Sequence, residues 1–139
     1  MKYNIKKTCW EDNKNHLRGI RRAVFIKEQN VPENLEWDEF DEICEHILVM
    51  NKNIPIACGR IKPNGHIGRM AVLKNYRNMK IGTDILKALT SIAIEKDLKK
   101  IFLHAQSVAV PFYEKQNFKI CSEEFMDASI PHRTMEKQL

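Results

Sequence analysis

The sequence predicts an α/β (α+β) domain built on a mixed β-sheet, and two observations carry that prediction. The first half holds short extended segments joined by tight polar turns, as antiparallel strands are. The second half opens with a strand, a loop, a 3.6-period helix and a further apolar strand, which is a βαβ unit.

Each element has its own signal. Residues 3–8 alternate weakly as a first strand. Asp12 or Asn13 caps a helix over 14–28, whose Leu17, Ile20, Val24 and Phe25 form one apolar stripe. Pro32 stops that helix. An acidic stretch follows as a loop or short helix: Glu33, Glu36, Asp38, Glu39, Asp41, Glu42 and Glu45. Strands over 46–50 and 56–61 flank a polar turn ending in Pro55, and Asn64–Gly65 is a hairpin signal into a strand over 66–73. A helix over 83–96 buries Ile85, Leu86, Leu89, Ile92 and Ala93. Residues 100–105 form a buried strand. Ser107 caps a helix reaching Gln116, with Pro111 in its first turn, before strands over 118–121 and 132–137.

The 139 residues, with no repeat or linker, make one domain over 1–139. No apolar run approaches the ~20 residues that span a bilayer. The start, MKYNIKKTCW, lacks the apolar stretch of a signal peptide, so the expected place is cytoplasmic. Cys9, Cys44, Cys58 and Cys121 have no CxxC or zinc spacing and are expected as free, buried thiols. Five dispersed histidines without an HExxH pattern exclude a metal hydrolase, and no metal is expected. The net charge of +5 suits a polyanionic partner such as a phosphorylated cofactor. It does not suffice for nucleic acid: no helix-turn-helix or basic–aromatic interleaving is present, and the acidic stretch opposes it.

The chemistry is concentrated in GRMAVLKNYRNMKIGTDILKALTSIAIEK. A strand leads into a loop holding Arg77, Lys80 and Gly82, then into a helix. The unpaired N–H groups of a helix start, with a tight loop ahead of them, suit a pyrophosphate. An ordinary basic strand–helix connection is the alternative.

This chain resembles the GCN5-related N-acetyltransferases. Their cofactor loop, Arg/Gln-x-x-Gly-x-Gly/Ala after a small-apolar-Val strand, is matched by Met70-Ala71-Val72-Leu73 and by Arg77-Asn78-Met79-Lys80-Ile81-Gly82. Their later Phe-Tyr-Glu-Lys-Leu-Gly-Phe motif is matched by Phe112-Tyr113-Glu114-Lys115-Gln116-Asn117-Phe118. Val24–Pro32, Leu103-His104-Ala105-Gln106 and Ile130-Pro131-His132 are similar to a small bacterial branch of largely unassigned substrate. The likeness spans residues 20–135. Lys80 stands at the first loop glycine, where a positive φ would cost about 1–2 kcal/mol. Asn117 replaces a glycine at a left-handed helix end, which asparagine tolerates.

The resemblance implies a central twisted sheet with helices on both faces, and acetyl-CoA as donor to a small-molecule primary amine in a ternary complex. It places Met70, Ala71, Val72, Arg77, Asn78, Met79, Lys80, Ile81, Gly82, Thr83, Gln106 and Phe112 at the cofactor. It implies that backbone N–H groups near Val72 face the thioester carbonyl and that Tyr113 protonates the leaving thiolate. The base stays open among Glu28, Glu36, Asp41, His46, His104 and a water relay. Glu36, Asp41 and His104 are expected to line the acceptor side, and the acidic stretch to favour a cationic acceptor. A CoA-binding protein of this fold without catalysis is the rival. No nucleic acid or membrane partner is expected, and a homodimer is one open oligomeric state.

Overall fold

The computed structural model describes residues 2–139. Strands β1 (Asn4–Thr8), β2 (Glu45–Asn51), β3 (Ile54–Ile61) and β4 (His66–Val72) form an antiparallel run. Strand β5 (Lys100–Gln106) joins β4 in parallel, and β8 (Ile130–Gln138) pairs antiparallel with β5. The order is β1-β2-β3-β4-β5-β8-β6, with β6 (Lys119–Ile120) and β7 (Phe125–Asp127) both pairing β8.

Helices cover both faces. Helix α3 (Ile81–Glu95) sets Ile85, Leu89, Ile92 and Ala93 on one face, against Ile47, Val49, Ile101, Leu103 and Ala105. Helix α1 (Trp10–Arg21) sets Trp10, Leu17 and Ile20 on the other, against Leu48, Cys58 and Ala71. The alternation of β2 feeds both layers, Ile47 and Val49 toward α3 and Leu48 toward α1, because successive side chains point to opposite faces.

The first helix departs from its expected span. It starts at Trp10, and from Arg22 to Glu28 it continues as a π-helix. Such widened turns accompany functional sites, and this one sets Phe25 at a cleft wall. The acidic stretch forms α2 (Glu33–Glu36) and a 3₁₀ turn over Glu39–Glu42. The expected helix from Ser107 is a 3₁₀ turn over Ser107–Ala109 followed by the short α4 (Val110–Glu114). Strand β7 had no sequence signal, being three residues long. Cys44 and Cys58 are buried free thiols, whereas Cys9 and Cys121 are exposed, contrary to expectation.

Two irregularities open the sheet. Strand β4 pairs β5 only at His66↔Phe102 and Ile67↔Leu103, so the two diverge beyond that point. On its other edge β4 carries a bulge: Cys58 and Arg60 oppose Ala71 and Gly68, leaving Arg69 and Met70 as two residues against one. Arg69 holds φ at 50° there. A bulge re-aims side chains and interrupts the ladder.

Candidate acyl-transfer site

Two hollows flank the end of β4. A cleft of about 390 Å³ lies between the diverging strands, lined by Ile67–Met70 of β4 and Leu103–Gln106 of β5. A groove of about 410 Å³ is lined by Val72, Arg77, Asn78, Lys80, Ile81, Gly82, Thr83 and Phe112, with Tyr76 added. The two hollows are lined by sequence neighbours: Met70 and Tyr113 line the cleft, Val72 and Phe112 the groove.

The groove is a helix start. Asp84 N–H donates to Lys80 O, leaving the N–H groups of Ile81, Gly82 and Thr83 without helical acceptors. Lys80 caps the helix in the left-handed region, at φ 63°. A Cβ on Gly82 would meet only Phe112, at 3.7 Å, so the bare backbone there leaves room for a ligand to approach. Arg77 lines the groove, but its guanidinium is engaged. It donates to Val72 O at 2.9 Å and forks onto Glu28 at 2.6 and 2.7 Å. That pair also holds the Glu28 carboxyl below its usual range through the Arg77 hydrogen bonds. Glu28 therefore braces the loop and is no free base. Ala71 packs under α1, and Met79 points to solvent, so neither side chain lines the groove.

In the cleft, the Tyr113 hydroxyl lies 3.9 Å from Met70 Sδ. Burial pushes its pKa up to about 12, so the phenol stays protonated across the physiological range. It sits edge-on to Phe112 at 4.9 Å and to Phe118 at 5.9 Å, which fixes its ring. Asn117, at φ 70°, ends that turn as expected. Gln106 donates to Gln29 Oε1 at 2.9 Å across the cleft.

His104 lines the same cleft and is anchored by Nδ1 to Thr134 Oγ1 at 2.9 Å. Burial lowers its pKa, the Asp127 charge opposes this, and His132 adds to it. The ring is thus neutral at pH 7 and able to take a proton. His66 stacks on Phe102 at 4.8 Å and meets His104 edge-on at 4.7 Å. Burial first, and then His104, bring His66 down to about 4.

The floor is a charge cluster. Arg21 binds Glu36 at 2.8 Å and Asp41 at 2.7 Å; Arg60 binds Asp38 at 2.7 Å and Asp41 at 2.8 Å; Arg69 approaches Glu36 at 3.0 Å. Desolvation raises Asp38, but the hydrogen bonds and charge of Arg60 outweigh it and bring Asp38 to about 2. Burial raises Glu36 despite its arginines. Glu36 reaches the cleft wall, while Asp41 lies behind it, its backbone carbonyl accepting from His46 Nε2 at 2.8 Å. Asp41, expected on the acceptor side, lines neither hollow. His46 is buried beside Trp10 and faces neither hollow. Sequence reasoning gave no site role to His66, Arg69, Asp127 or His132, and took Asp38 only as part of the acidic stretch. The strand signal over 66–73 holds His66 and Arg69, and the Ile130-Pro131-His132 likeness holds His132. Among the described residues, no group of His, Cys, Asp and Glu is placed to hold a metal, and no helix is long and apolar enough to cross a membrane.

A bulged strand, an amide-lined helix start and a protonated phenol in the cleft beside it define the class of an acyl-transfer scaffold. Residues 9–139 match the Acetyltransferase (GNAT) domain, and the chain belongs to that family. It is 42% identical to the uncharacterised N-acetyltransferase YjcF of Bacillus subtilis, over 85% of this chain and 87% of that one. Its fold is that of an acyl-CoA N-acyltransferase from Pseudomonas aeruginosa, with a TM-score of 0.89 at 21% identity over 98% and 99% of the chains. It is shared with the PaiA N-acetyltransferase of Thermoplasma acidophilum solved with coenzyme A, with a TM-score of 0.73 at 20% identity over 100% of both.

Proposed function

We propose that residues 1–139 form a single N-acetyltransferase domain, acting in the cytoplasm on a primary amine of a small molecule, with acetyl-CoA as donor. Acetyl-CoA supplies the activated thioester. The free N–H groups of Ile81, Gly82 and Thr83, with Lys80 beside them, suit its pyrophosphate. The β4 bulge turns backbone N–H groups between Arg69 and Val72 toward the thioester carbonyl, where negative charge develops. The amine comes from the cleft side, losing one proton to His104, directly or through water. Its nitrogen forms a bond to the carbonyl carbon. As the carbon–sulfur bond breaks, Tyr113 gives its proton to the departing thiolate, and the nitrogen sheds its second proton, which restores the phenol.

The observation that carries this reading is the position of Tyr113, a half-buried, protonated phenol that lines the cleft and packs on Phe112 of the groove. The test is calorimetric titration with acetyl-CoA beside rates of acetyl transfer, for the native protein and Tyr113→Phe. Both should bind acetyl-CoA alike, and the variant's kcat should fall by about a hundredfold. Equal rates in the two proteins would remove Tyr113 from the acid role. Binding without transfer to any amine would favour an idle CoA-binding protein, and absence of binding by a folded protein would defeat the proposal.

A further inference from the structure

We propose that the acceptor is an amine that also bears a carboxylate, of the amino-acid type, and that Arg69 and Lys62 hold that carboxylate in the cleft. The proposal rests on the transferase reading above and names its substrate class.

The acidic stretch points to a cationic acceptor, but the two of its carboxylates that line the cleft, Glu36 and Asp38, are already in use. Glu36, Asp38 and Asp41 are matched by Arg21, Arg60 and Arg69 in one buried cluster. They offer an incoming polyamine no uncompensated charge.

Arg69 is the least satisfied member of that cluster. Its Nε lies 3.0 Å from Glu36 Oε2 but has no aligned hydrogen bond among the described residues. Its Nη2 donates to Glu36 O at 3.0 Å and approaches Asp38 at 3.3 Å, while Nη1 has no partner among them. Burial lowers its pKa, Glu36 opposes this, and the neighbouring Arg60 and Arg21 add to it. Arg21 and Arg60 shift the other way. An anion at Arg69 would relieve this imbalance. The guanidinium lines the cleft and its side chain is 26% exposed, so a ligand can reach it.

The bulge places this cation well. Arg69 lines the same cleft as Met70 and Tyr113, whose hydroxyl faces the Met70 sulfur. A carboxylate on Arg69 thus shares the cleft with the reacting centre. Lys62 lines the same cleft with its ammonium 3.8 Å over the Phe40 ring, and no carboxylate pairs with it among the described residues. The same cleft also holds the opposite sign: Asp127 lines it without an ion pair among them and supports protonation of His104, against the nearby Lys62 charge. Unspent cations and an unspent carboxylate in one cleft match the two charges of a zwitterion.

The test compares initial rates of acetylation for free amino acids, their carboxamides, the corresponding decarboxylated amines and spermidine. The carboxylates should exceed their own amides in kcat/KM by about tenfold or more, as a charge-assisted pair gives. Arg69→Gln and, separately, Lys62→Met should shrink that ratio mainly through KM. Lys62→Met leaves the buried ion pairs intact, so it serves where Arg69→Gln folds poorly. Amides, amines or spermidine used as well as the acids would overturn the proposal. So would an unchanged ratio in both variants, or acetyl-CoA bound with no carboxylate-bearing amine acetylated. Failure of acetyl-CoA to bind a folded protein would instead bring down the transferase reading and this one with it.

Discussion

Lys80 holds φ at 63° at the mouth of α3, a conformation that costs an L-residue about 1–2 kcal/mol. Nothing in its side chain compensates, because it caps no helix amide. Lys80→Gly should therefore stabilise the fold by about 0.5–1 kcal/mol, the strain relieved less the chain entropy glycine adds to the unfolded state. Lys80→Ala keeps a Cβ and should give no comparable gain. Urea denaturation of the three proteins checks this, and equal gains from glycine and alanine would place the effect in the lysine's charge. The position of this residue was legible from the loop motif, and so was the sign of its φ. What Arg77 does was not. Its fork onto Glu28 spans 49 positions of sequence, and no local pattern announces a pair that distant.

At the scale of elements, the strands and the two long helices were legible because hydrophobic periodicity reports which face is buried. The close approach of α3 to β3 was hidden in a single glycine. A Cβ at Gly59 would stand 2.8 Å from Ile85 Cγ2, 3.1 Å from Leu89 Cδ1 and 3.2 Å from Met70 Cγ. Gly59→Ala should thus cost about 1–3 kcal/mol by overpacking. Because Met70 is one of the crowded neighbours and Tyr113 faces its sulfur, acetyl transfer should drop further than stability alone predicts. Gly68→Ala is the control, since a Cβ there meets nothing within 4 Å. A Gly59→Ala protein as stable as the native one would show that α3 can slide off β3. The change from α to π winding at Arg22 was also unreadable, since its apolar stripe fits either helix over so short a span.

Across the whole molecule, the illegible part of the site is its polar part. The arginine–carboxylate floor and the histidines of the cleft come from α1, the acidic stretch, β3, β4, β5 and β8, and they meet only when the sheet forms. Their titration then couples folding to pH. His66 is held near 4 in the fold against about 6.5 for an unfolded histidine. Between those values the unfolded chain binds more protons, so stability is complete above about pH 6.5 and declines as pH falls toward 4. The groups that face this ring and add to burial are His104, Lys62, Arg60 and Arg69, all positive or able to become so. His46 and His104, both lowered chiefly by burial, contribute with the same sign. Asp38, held near 2, withholds its own loss until pH falls below the ordinary carboxylate range. Because the His66 ring is partly exposed, its share is about 1–2 kcal/mol, less than its full shift implies. His66→Phe keeps the stack on Phe102 and removes the titration. Urea midpoints measured from about pH 7.5 down to about pH 4 should fall for the native protein and fall less steeply for His66→Phe. Parallel curves for the two proteins would mean that His66 is protonated in the fold, and that the acid sensitivity belongs to His46 and His104.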